Sequence, residues 1–145
     1  MAFVYRSAEA SDAIACARII REWGAETPWM VPLDDLEPMA DSWRDLLDTE
    51  TAWVAEQDGG VVGFCVREDD NITGLYVARA ARNFGAGKRL LDLAKAERDW
   101  ITVWAYEANT LARKFYRREG LMEIGREIQK GTNLVDVEHR WLRSP

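Results

Sequence analysis

Two stretches of this chain hold residue types whose spacing could do chemistry. The first, Arg82-Asn83-Phe84-Gly85-Ala86-Gly87-Lys88, sets two glycines and a lysine where an apolar run, "GLYVA", gives way to a helical pattern. The first turn of a helix leaves N–H groups without partners, and its dipole adds positive potential, so such a junction suits an anion. Glycines let a diphosphate approach that backbone. The second stretch, "NTLARKFYRREG" from Asn109 to Gly120, offers a helix with an amide side chain at its start and a phenol, Tyr116, two turns further on.

The kind of phosphate is narrowed by what is missing. A nucleoside triphosphate loop needs glycine at position 82 and Ser or Thr at 89, where Arg82 and Arg89 stand. A dinucleotide fingerprint needs a third glycine at position 90, where the chain has Leu90, and an early strand before it. A glycine turn that only starts a helix is the plain alternative.

These motifs depend on the elements that carry them. "FVYRS" reads as a short strand, followed by a helix to Trp23 with Ser11 and Asp12 near its start and Ala13, Cys16, Ala17 and Ile20 on one face. The segment from Gly24 to Pro38, with three prolines, reads as loop, and a second helix is expected from about Met39 to Asp48. "TAWVAEQ" and "VVGFCVR" flank Asp58-Gly59-Gly60 as a hairpin. "NITGLYVA" and "ITVWAY" are strands on either side of the glycine helix, Asn109 to Glu119 is a helix that Gly120 can end, and "LMEIGREI" and "NLVDVEHRWL" are closing strands. The order β-α-α-β-β-β-α-β-α-β-β predicts an α/β (α+β) domain with a mixed sheet. No composition shift divides the 145 residues, so one domain over residues 1–145 is expected.

Composition sets further bounds. The formal net charge is -6, which argues against a nucleic-acid partner held by a broad basic surface. No apolar run reaches membrane-spanning length and the first residues lack a secretory pattern, so no membrane partner and a cytoplasmic location are expected. Cys16 and Cys65 sit in apolar patterns, as small buried residues do. One histidine, His139, without a Cys-x-x-Cys pair gives too few ligands for zinc, so no metal is expected.

Taken together, Arg82-x-x-Gly85-x-Gly87 after a strand and Asn109-x-x-Ala112-x-x-Phe115-Tyr116-x-x-x-Gly120 after the next strand resemble the GNAT acetyltransferase superfamily. "YRSAEASD" is similar to that family's opening strand and helix, so the resemblance covers essentially the whole chain. One departure is Arg79, where the family often has proline.

The resemblance implies a mostly antiparallel mixed sheet with splayed central strands, flanked by about four helices, and an N-acetyltransferase that moves acetyl from acetyl-CoA to a primary amine. It further implies that the pantetheine arm pairs with the backbone of Leu75, Tyr76 and Val77, and that amides of Phe84, Gly85, Ala86, Gly87 and Lys88 hold the pyrophosphate. Arg82 would supply charge, Lys88 and Arg89 would either do so or be solvated, and Asn109 and Ala112 would meet the cofactor, with Asn109 equally able to cap its own helix. Tyr116 matches the family's proton donor, a phenol of pKa about 10 beside a thiolate of about 8.5, and a backbone N–H near Val77 its oxyanion donor. The glutamate that members often carry on the strand before the loop is missing from Asn71-Ile72-Thr73-Gly74, which leaves Asp69, Asp70, Glu107 or water as the base. That absence also leaves open a non-catalytic acyl-CoA-binding or sensing domain on the same fold. Acceptor choice would fall to Trp23, Trp29 and Trp43 with Glu26, Asp34, Asp35 and Glu37, residues that could equally be core or the interface of a homodimer.

Overall fold

The computed structural model describes residues 2–145. Seven strands form one sheet in the order β1-β2-β3-β4-β5-β7-β6: β1 (Val4–Ser7), β2 (Thr51–Gln57), β3 (Gly60–Glu68), β4 (Asn71–Val77), β5 (Trp100–Tyr106), β6 (Met122–Ile128) and β7 (Val135–Leu142). Every neighbouring pair is antiparallel except β4 and β5. Four α-helices flank the sheet: α1 (Ala13–Ala25), α2 (Leu36–Thr49), α3 (Ala86–Lys95) and α4 (Thr110–Arg118).

Side-chain alternation divides the core in two. On one face, α1 and α2 lay Cys16, Ala17, Ile20 and Leu47 against Val54, Phe64 and Val66. On the other, Leu90, Leu91 and Ala94 of α3 and Tyr116 of α4 cover Cys65, Ile101 and Val103. Gly74 is a packing requirement: a Cβ there would lie 2.6 Å from Trp43 of α2, whose ring meets Phe64 edge-on.

Helix α2 begins at Leu36, ahead of the expected Met39, because Pro38 falls in its first turn. A proline costs nothing there, since its missing N–H would have had no intrahelical acceptor. Asp12 stands at the start of α1 as expected, where it meets Arg6 through two hydrogen bonds of 2.8 Å and accepts the Glu9 N–H at 2.8 Å, which ties β1 to the approach of α1.

Hydrogen bonds from Arg6 hold the Asp12 carboxyl below its ordinary value. Its stabilising contribution is therefore present above an ordinary carboxylate pKa of about 3.9 and is lost as pH falls below it. Asp12→Asn is expected to lower stability at pH 7 by on the order of 1–2 kcal/mol in urea unfolding, with the gap to wild type narrowing as the pH falls below the ordinary carboxylate range.

Candidate active site

The site begins where β4 and β5 part. They pair only at Asn71 with Thr102 and Ile72 with Val103, and a bulge at Thr73 then keeps β4 beside β3 while β5 follows β7. Beyond that point opens a cleft of about 900 Å³, walled by the ends of both strands, the α3 N-terminus, α4 and the loop after α1. This volume is in the range of small-molecule sites.

The exposed edge of β4 follows from alternation. Ala78 N–H bonds to Val62 C=O at 2.7 Å, towards β3, so Tyr76 also faces β3 while Leu75 and Val77 face the cleft. Arg82 Nε donates to the Val77 carbonyl at 2.9 Å, and the same guanidinium pairs with Glu26. Arg82 thus braces the loop between β4 and the end of α1, with its charge shared with Glu26.

The loop from Asn83 to Gly85 turns through left-handed backbone, φ 69° at Asn83 and 90° at Gly85, which glycine adopts without strain. Gly85 is the N-cap of α3, and the first intrahelical bond is Arg89 N–H to Gly85 C=O at 3.1 Å. The N–H groups of Ala86, Gly87 and Lys88 therefore have no intrahelical acceptor, an arrangement at the cleft mouth that suits an anion. Ala86 is buried, and the Phe84 ring is exposed, leaving that residue only its backbone to offer. Lys88 reaches Glu119 at 3.0 Å and Asp92 at 3.4 Å, so it is an ion-paired cation beside these amides.

Asn109 caps α4: its side-chain oxygen accepts the Ala112 N–H at 3.1 Å. Both residues line the cleft. Tyr116 also lines it while 6% exposed, its ring against His139 and Phe115 with centroids 5.4 Å away in each case. Its hydroxyl has no hydrogen-bond partner among the described residues. Burial, with Cys65 and Tyr76 adding, pushes the phenol above its ordinary value, so it is protonated at neutral pH.

On the α1–α2 face, rings close over the gap between the strands. Tyr76 of β4 meets Trp23 at 5.8 Å, Trp23 meets Trp29 at 5.9 Å, and Trp29 meets Tyr106 of β5 at 5.7 Å, all edge-on. Trp43 lies deeper, on Phe64. Tyr106 was not among the residues expected at the site. The signal for it was the alternation of "ITVWAY", which sends Trp104 and Tyr106 to the face opposite Val103 and Ala105.

The acids expected as bases stand elsewhere. Asp69 and Asp70 both bridge to Arg98 at 3.1 Å, at the end where β4 and β5 are still paired, and Glu107 pairs with Arg126. Among the described residues lining the cleft, Glu26 is the one carboxylate.

A sheet opened between two parallel strands, with free strand amides and a helix N-terminus on one rim, makes a cleft suited to a small molecule that carries negative charge. The family description "Acetyltransferase (GNAT) domain" matches residues 48–120, and the chain belongs to that family. It is an acetyl-CoA-dependent N-acetyltransferase. The chain is 28% identical over 132 residues to the peptidyl-lysine N-acetyltransferase YiaC of Escherichia coli K12, covering 85% of this chain and 88% of that one. In fold it is similar to apo YjaB of Escherichia coli, with TM-score 0.80 and 20% identity over 99% of this chain and 100% of that one. It is likewise similar to yncA of Salmonella typhimurium, solved with acetyl-CoA, with TM-score 0.73 and 18% identity over 100% and 98%.

A Cβ at Gly87 would meet only the Phe115 ring at 3.6 Å and Val77 at 3.9 Å, ordinary contacts. Gly87→Ala is therefore expected to fold with unchanged or slightly raised stability, by up to about 1 kcal/mol. Its affinity for acetyl-CoA should fall severalfold by calorimetry, as the methyl narrows the approach to the first amides of α3.

Proposed function

We propose that the chain transfers acetyl directly to a primary amine within a ternary complex, with no acyl-enzyme intermediate. The observation that carries this reading is Tyr116: a buried, protonated phenol in the cleft wall, without a protein partner. The free edge of Leu75 and Val77 would hold the pantetheine arm as an added strand, and the amides at the start of α3 the pyrophosphate. Val77 N–H would donate to the oxygen that gains charge during attack.

Tyr116 would give its proton to the departing thiolate of coenzyme A. A phenol above 10 does not spontaneously ionise next to a thiol near 8.5, so the exchange is driven by the amide nitrogen, whose excess proton restores the phenol. The acceptor reads best as a lysine side chain, as in the name of the relative from Escherichia coli K12. Trp23 and Trp29 can receive the methylene stem and the cationic head of such a chain.

Two coarser features accompany this reading. Cys16 and Cys65 are buried free thiols, each pushed up to about 12 by burial, which suits a reducing cytoplasm. Met122, Ile124 and Ile128 are exposed on the edge strand β6, which suits a homodimer that sedimentation would detect.

Tyr116→Phe is expected to lower kcat roughly 100-fold while leaving the Kd for acetyl-CoA unchanged. Steady-state assay of thiol release with a lysine peptide checks this. Unchanged turnover would remove Tyr116 from the role of acid.

A further inference from the structure

Asp136 of β7 stands directly opposite Tyr106 of β5, so the two side chains share the sheet face that carries Trp29. That face is where the aromatic series from Tyr76 to Tyr106 spans the gap between the parted strands. Asp136 is half-buried, and no cation meets it among the described residues. Its one favourable neighbour is the Val137 N–H, while Glu127 across on β6 works against its charge. The other acids and phenols turned towards it are Glu138 two residues on, Tyr106 and Tyr76. Burial pushes its carboxyl above the ordinary value, and its charge in turn helps push both phenols up, Tyr76 to about 12.

A carboxylate held partly out of water without a counter-ion lowers stability, and neutral replacement would relieve that cost. Tyr106, its cross-strand neighbour, carries the edge-on contact with Trp29, and aromatic rings of this kind stabilise an organic ammonium. The arginines that pair with the other acids are already engaged: Arg82 with Glu26, Arg126 with Glu107 and Arg98 with Asp69 and Asp70. Asp136 is not itself a lining residue of the cleft: it stands one strand outward from Tyr106, which is, so a cation seated against Tyr106 would be its first counter-ion.

We propose that Asp136 is the counter-ion and proton acceptor for the acceptor's primary ammonium group, which binds beside Trp29 and Tyr106. This rests on the reading of the chain as a direct amine acetyltransferase and names its acceptor class, a slender alkylammonium such as a lysine side chain. The ammonium nitrogen passes one proton to the Asp136 carboxylate and keeps the electron pair. That pair forms the N–C bond as the C–S bond breaks, and the sulfur leaves with its pair and takes the Tyr116 proton. The phenolate recovers the second nitrogen proton, so one proton in all leaves the site, through Asp136 to solvent.

The test uses the full-length chain, 15N-labelled and holding coenzyme A, titrated with Nα-acetyl-lysine methylamide while the Trp29 indole N–H resonance is followed. A saturable shift is expected in wild type, none with the uncharged Nα-acetyl-norleucine methylamide, and none in Asp136→Asn, which should melt no lower than wild type. Equal responses to the two amides, or equal responses of wild type and D136N, would overturn the proposal. Turnover separates the two readings. In thiol-release assays D136N should lose at least tenfold in kcat/KM for the lysine amide, chiefly through KM, with acetyl-CoA affinity kept and partial recovery in Asp136→Glu. Unchanged kcat/KM in D136N would sink the role of Asp136 and leave acetyl transfer standing. A Trp29 shift without acetyl-CoA consumption would sink transfer to this amine and leave the ammonium site standing.

Discussion

The structure depends on an incomplete pairing. Parallel strands β4 and β5 share a two-residue register and then separate, leaving backbone groups of both strands without a strand partner in the interior of a seven-stranded sheet. Unpaired backbone in such a place is costly unless water or a ligand completes it. The gap survives because each strand is held along its other side, β4 by β3 with one bulge at Thr73 and β5 by β7. The sheet is in effect two antiparallel halves joined by a short seam, and the site is the open part of that join.

Each neighbouring element acts on this gap. Helix α3 starts at its rim and turns three free amides towards it, while α4 brings Tyr116 and the Asn109 cap to its wall. Arg82 ties the β4 edge, the loop and the end of α1 together through Val77 and Glu26. The positive charge expected of Arg82 is thus shared with Glu26 and engaged in holding the loop, which leaves the helix terminus as a further source of positive potential at the rim. On the far face the rings from Tyr76 to Tyr106 bridge the two halves, so the same residues that close the gap also meet whatever enters from that side.

Much of this was legible in the chain because its signals are local. The hairpin turn at Asp58-Gly59, the glycine start of α3 and the Asn109 cap each depend on a few adjacent residues, and the structure bears out those elements. The start of α2 is less legible because a proline reads as a break, whereas Pro38 falls in the first turn, where it fits the helix. The base candidates Asp69, Asp70 and Glu107 were adjacent in sequence to the right strands, yet their cationic partners, Arg98 and Arg126, come from distant segments. The nearness of Tyr106 and Asp136 is illegible for the same reason: it is a matter of register between β5 and β7, which no window of sequence contains.

Whether the parted strands are a binding device is decided at the amides of Leu75 and Val77. Residue-resolved hydrogen exchange, with and without acetyl-CoA, measures them directly. Strand addition predicts that these two amides and those of Ala86 to Lys88 gain protection on binding, while Tyr76, already facing β3, changes little. Binding that left Leu75 and Val77 exchanging as in the free protein would contradict the account.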